Sequence, residues 1–162
     1  MTPEAFFGRI VEPTLQFLAA SPGIAVPVSP AGRVLTMAIA GQESAWAARR
    51  QIGGPARGYW QFELGGGVDD VFRVTGRQLA TVCAALDVPY DPRVVFEAMA
   101  WNDTLACAMA RLLLWIDPAP LPAIGETEAA WQYYLRRWRP GAPHRHSWDA
   151  RYGAALAASG VR

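Results

Sequence analysis

The chain contains no lysine; all fifteen of its basic residues are arginine. That absence excludes Schiff-base chemistry and the lysine of a phosphate-binding loop. Cysteine is nearly as scarce, with Cys83 and Cys107 alone, both in apolar, helix-patterned stretches. Two buried free thiols are expected there rather than a disulfide framework. Charge is thin as well: 18% of residues are charged and the net charge is +1. Such a balance gives no field for capturing nucleic acid or an anionic membrane. No run approaches the roughly twenty apolar residues of a membrane span, so no membrane insertion is expected. The opening Met1-Thr2-Pro3-Glu4-Ala5 lacks the positive region of a signal peptide, and the nearest apolar run is broken by Arg9, Glu12 and Pro13. Phosphate loops, dinucleotide fingerprints, Gly-x-Ser-x-Gly elbows and paired-cysteine zinc signatures are all missing.

What is present is apolar: 52% of 162 residues, enough for one well-packed core. Residues 3–20 read as amphipathic helical turns interrupted near Pro13, with Phe6, Phe7, Ile10, Leu15 and Leu18 inward. The three prolines between Ser21 and Pro30 mark a connector. Ser29-Pro30 then starts a helix, a cap followed by proline at the first helical position. Val34, Leu35, Ala38, Ile39 and Gln42 continue it at helical spacing and put Glu43 in its last turn. Residues 51–68 hold six glycines without helical period and predict a loop or short hairpin. Further helices are predicted from Thr75 or Gly76 through Leu86, from Asp91-Pro92, from Asn102 or Asp103 through Trp115, over 126–138, and from Ser147 to about Ala158. The expectation is a mainly α, single-domain fold over residues 1–162 with one small glycine-rich loop or hairpin insertion.

Glu43 carries the chemistry. A carboxyl beside apolar and aromatic neighbours is desolvated, and the negative end of its helix also favours the proton. A carboxylic acid protonated near neutral pH is what glycosidic bond cleavage uses. Glu63 lies twenty residues on, across the glycine-rich stretch, and is a candidate second carboxylate. Two-carboxylate glycosidases hold the pair about 5 Å or roughly 6.5–9.5 Å apart. Asp69 and Asp70 are weaker rivals, read first as solvated acids near a flexible turn. Tyr59 and Trp60 offer flat faces for sugar rings. If their segment is extended, one of the two points to the groove and the other to the core.

Glu43-Ser44 at a helix end, followed by Gly58-Tyr59-Trp60-Gln61-Phe62, resembles two motifs of the lysozyme-like superfamily, in lytic transglycosylases and goose-type lysozymes. The match covers about residues 34–63; Trp46 and Ala47 depart from the family pattern. Ala108-Met109-Ala110-Arg111-Leu112-Leu113 is similar to the helix behind the family's site, and Tyr133 or Tyr134 to its late tyrosine. The resemblance implies a lysozyme-like domain with Glu43 as general acid at the bond between N-acetylmuramic acid and N-acetylglucosamine. It implies substrate contacts from Ser44, Gly58, Tyr59, Trp60, Gln61, Tyr133 and Tyr134, with glycan strands of peptidoglycan as partner and no cofactor. Attack comes either from water or from the muramic 6-hydroxyl, which leaves a 1,6-anhydro product. With no signal peptide expected, the resemblance points to a phage-encoded member. It would be made in the host cytoplasm and act in the periplasm or be carried in the virion, with virion proteins as further partners. The competing expectation is a lysozyme-fold virion adaptor without activity; a third is an enzyme for chitin-like oligosaccharides.

A basic and aromatic cluster closes the sequence: Arg136, Arg137, Arg139, His144, Arg145 and His146, interleaved with Trp131, Tyr133, Tyr134, Trp138 and Trp148. It suits a carboxylate-bearing polymer, but the pattern reads first as a solvated helix face over an aromatic core. His144 and His146 alternate like metal ligands but lack a third ligand at zinc spacing, so no metal is expected.

Overall fold

A computed structural model describes residues 1–161. It is mainly helical, with no β-strand among the described residues. The elements are α1 (Pro3–Phe6), a wide turn at Phe7–Val11, α2 (Glu12–Ala20), α3 (Pro30–Ser44), a second wide turn at Leu64–Val68, α4 (Asp69–Ala85), α5 (Pro92–Ala98), α6 (Asp103–Trp115), α7 (Thr127–Trp138) and α8 (Arg145–Ser159). Helix α6 is buried from Leu105 to Leu114, and α3 from Val34 to Gly41. Helices buried on every side belong at the centre of a fold, and these two carry only Arg111 and Thr36 as polar side chains within the buried stretches. Helix α8 packs most extensively against α3; its Gly153, Ala154, Ala155, Ala157 and Ala158 are small enough to permit close approach.

Three expected boundaries shift. Pro13 does not break the first helical segment. Proline cannot donate to the ladder and crowds the carbonyl four residues back. The chain absorbs this by opening one wide turn, in which the Glu12 N–H bonds Phe7 O. Helix α4 begins at Asp69 rather than at Thr75, so Asp69 and Asp70 occupy its first turn, where the helix dipole favours acids. The expected start at Thr75 is instead a kink (φ −116°, ψ 28°), with the Thr75 hydroxyl donating to Val71 O at 2.8 Å. Helix α8 starts at Arg145, two residues before Ser147, and extends to Ser159. Cys83 and Cys107 are buried and free, and burial pushes their thiols up to about 11 and about 12.

The end of α3 is the element that positions Glu43. Its start follows expectation, with Ser29 Oγ accepting the Gly32 N–H at 3.0 Å. Its end is less ordinary: Ala45 (φ 52°) and Trp46 (φ 56°) are consecutive left-handed residues without a glycine. Each costs about 1–2 kcal/mol, offset by burial of Trp46, whose indole N–H donates to Met37 O at 3.0 Å. The ring lies so close over Gly41 that a Cβ there would stand 2.3 Å from it. Gly41 and Trp46 thus fold the chain back sharply and leave Glu43 at the lip of the helix.

Candidate active site

Residues 50–62 form an irregular loop tied by two isolated bridges, Arg50 with Arg57 and Arg57 with Phe62. Arg57 and Phe62 exchange both backbone hydrogen bonds at 2.9 Å, and Gln61 N–H closes onto Gly58 O at 3.0 Å. Gly58 (φ 71°) and Gln61 (φ 49°) supply the left-handed corners. The segment is a tight turn, not an extended strand, so Tyr59 and Trp60 do not alternate. Both point into the core, 2% and 0% exposed. Tyr59 meets Phe6 edge-on at 4.8 Å, and the Trp60 indole donates to Thr36 O at 2.8 Å. Neither ring stands in a groove, which corrects their expected role as sugar platforms. Gly58 is buried too; a Cβ there would meet Met99 O at 3.2 Å and Ala106 Cβ at 3.1 Å. Its close approach is to protein, not ligand. We expect Gly58→Ala to destabilise the fold by about 1–2 kcal/mol, read as a lower midpoint in urea unfolding.

The turn and α3 enclose one side of a cleft of about 680 Å³; α7 and the 139–144 connector form the other. Glu43, Gln61, Glu63 and Tyr134 line it together, with Gln42, Phe62, Leu113, Arg137, Trp138 and the backbone of Gly65–Gly67. A second hollow of about 380 Å³, lined by Ser44, Ala48, Ile52, Ser147 and Arg151, adjoins the first. Gln42, Glu43, Gln51 and Gln61 border both. Glu43 therefore stands where the two hollows meet.

Glu43 is mostly buried, and desolvation pushes its carboxyl up to about 7. The charge of Glu63 adds to the rise; a hydrogen bond donated by Tyr134 opposes it. The Tyr134 hydroxyl lies 2.7 Å from Glu43 Oε1. Its ring is stacked on Trp148 (centroids 5.4 Å, 15° between planes) and packed by Trp131 and Trp138, so the hydroxyl is held in place. Burial and the adjacent carboxylate push the Tyr134 ionisation upward, so it stays a donor. Tyr134→Phe removes the one contact that favours the charged form. We expect the Glu43 midpoint to rise by about one pH unit, measured by NMR titration of its side-chain carboxyl.

Other expected site residues separate by position. Glu63 is exposed and faces the cleft, close enough for its charge to act on Glu43. Gln61 lines the cleft while its amide donates to Gly58 O at 2.8 Å, bracing the turn. Ser44 does not touch the Glu43 carboxyl; its hydroxyl donates to Ala40 O at 3.0 Å and finishes the helix. Tyr133 lies on the far side of α7, buried, donating to Leu114 O at 2.7 Å, and is no cleft residue. Asp69 and Asp70 stay outside the cleft, with Asp70 paired to Arg73 and Arg139.

Three contributors were not anticipated in these roles. Gln42 ties the end of α3 to the next wall, donating to His144 O at 2.9 Å and accepting from Ser147 Oγ at 3.1 Å. Trp138 lines the cleft with its indole N–H fixed to Trp60 O at 3.0 Å. Arg137 lines it as well. The signal for the last two was spacing: Tyr134, Arg137 and Trp138 fall three and four residues apart and share a helix face. The remaining arginines of the basic cluster are largely paired, Arg136 with Asp117 and Arg145 with Glu128 and Asp149. His144 and His146 stand edge to face at 5.8 Å, with no group of three metal-binding side chains among the described residues. Compared with known proteins, the chain matches no family model, no curated protein and no solved structure.

Proposed function

We propose that the protein is a lysozyme-like glycosidase that cleaves the bond between N-acetylmuramic acid and N-acetylglucosamine in peptidoglycan, with Glu43 as general acid. The observation that carries this reading is the Glu43 carboxyl, shifted to about 7, held by Tyr134 at the junction of two hollows. A general acid is most effective when its pKa lies near the working pH. At neutrality about half of Glu43 carries the proton it would hand to the leaving oxygen. After that transfer the same group is a carboxylate, stabilised by the Tyr134 hydroxyl, and can take a proton back from the attacking hydroxyl. Glu63 supplies negative charge across the cleft as an oxocarbenium-like centre develops, and in a hydrolytic reaction it would orient the water. A role in phage lysis or DNA entry rests on the sequence reading, chiefly the resemblance of the two motifs, and not on the geometry of the cleft.

Incubation with purified peptidoglycan, followed by mass spectrometry of the released muropeptides, tests the reading. Muramic ends should appear, as reducing sugars after hydrolysis or as 1,6-anhydro sugars after internal attack. Intact strands after prolonged incubation across pH 5–8 would overturn it and leave the adaptor role.

A further inference from the structure

We propose that Arg137 sets the specificity of this cleft by receiving a carboxylate of the bound glycan, so that acidic strands are selected over neutral ones. The proposal rests on the reading of the cleft as a glycan site. Arg137 lines the cleft yet makes no hydrogen bond or ion pair within the described residues, and its Nε is buried without a partner. The other cleft arginine, Arg139, is paired with Asp70 at 2.8 Å. Asp117 lies within electrostatic range of Arg137, but its two oxygens are taken by Arg136 Nε at 2.8 Å and the Ala119 N–H at 2.9 Å. Among the described residues, Arg137 is therefore the uncommitted arginine of the wall.

Its place along the wall fits a ligand. Tyr134, which holds Glu43, and Arg137 are three residues apart, about 4.5 Å along α7, and both face the cleft. A carboxylate reaching Arg137 thus belongs to the sugar whose linkage Glu43 protonates, or to its neighbour. Trp138, anchored to Trp60 O, fixes the end of α7 and with it the root of the arginine. A planar guanidinium presents paired N–H groups that match the two oxygens of a carboxylate. A neutral oligosaccharide offers that fork only uncharged hydroxyl and acetamido oxygens, and so forgoes the stronger charge-assisted pair.

Binding separates this assignment from the catalytic one. The full chain carrying Glu43→Gln, which cannot turn strands over, is titrated calorimetrically with solubilised peptidoglycan strands in three forms: with stem peptides, stripped to lactyl carboxylates, and methyl-esterified. A neutral chito-oligosaccharide completes the series. Free-acid strands should bind about tenfold more tightly than esterified ones, and the stripped form tells whether the carboxylate is lactyl or peptidic. Adding Arg137→Gln should bring the acid-to-ester ratio close to one, and Arg137→Lys should restore part of it. Equal binding of acid and ester strands, or a ratio that Arg137→Gln and Arg137→Lys both leave unchanged, overturns the assignment while the glycosidase reading stands. If no strand binds and none is cleaved, both fail.

Discussion

Glu43→Gln should slow glycan cleavage by roughly 10²–10⁴-fold, the range that a positioned general acid contributes, while leaving the fold and strand binding in place. The substitution keeps the size of the side chain and an oxygen to accept from Tyr134, which lies 2.7 Å away. It removes the transferable proton and the ability to ionise. Because Glu43 borders both hollows, a loss of binding would appear in KM, and a loss of proton transfer in kcat. The prediction is a fall in kcat with little change in KM, followed by release of soluble muropeptides at equal protein concentration. Circular dichroism and thermal unfolding of the variant check that the helices are intact. A variant that cleaves at the native rate would remove Glu43 from the chemistry altogether.

The part of this site that could be read from sequence is the part governed by short-range rules. Ser29-Pro30 announces the start of α3, and apolar spacing carries Glu43 to its last turn. Tyr134 stood among the candidates through the resemblance, and the structure brings it to Glu43. The rest depends on contacts far apart in the chain. The reversal after Ser44 has no glycine to signal it, because its left-handed residues are Ala45 and Trp46, stabilised by the Trp46 indole reaching back to Met37. Tyr59 and Trp60 look like groove aromatics only if residues 58–62 are extended; the corners at Gly58 and Gln61 turn both inward. Three glycines hid the start of α4, since Gly65–Gly67 read as a flexible turn; they form a wide turn into Asp69, with Gly66 at non-helical angles (φ −123°, ψ −109°). The basic cluster looked uniform in sequence. Which of its arginines is uncommitted follows from Asp70, Asp117, Glu128 and Asp149, which come from other parts of the chain or other turns.

The displaced Glu43 pKa also has to appear in stability. A carboxyl at about 7 in the folded protein against an ordinary 4.5, at about 1.4 kcal/mol per pH unit, makes the native state about 3 kcal/mol less stable above pH 8 than below pH 4.5, other groups held constant. The direction follows from proton counting. Between those pKa values the folded chain binds the proton and the unfolded chain does not, so stability falls as pH rises. Glu12 and Asp117 are displaced the other way, below their ordinary 4.5 and 3.8, by Arg33 and by Arg136. Their contribution is lost only as pH falls further into the acid range, so it is constant between pH 5 and 8. Urea unfolding of the native chain should therefore weaken steadily from pH 5 to pH 8.5. Glu43→Gln, with no proton to lose, should flatten that slope and unfold at higher urea than the native chain at pH 8.5. A native curve already flat over this window would mean that Glu43 ionises as an ordinary glutamate, and the source of its acidity at neutral pH would have to be sought in the bound substrate.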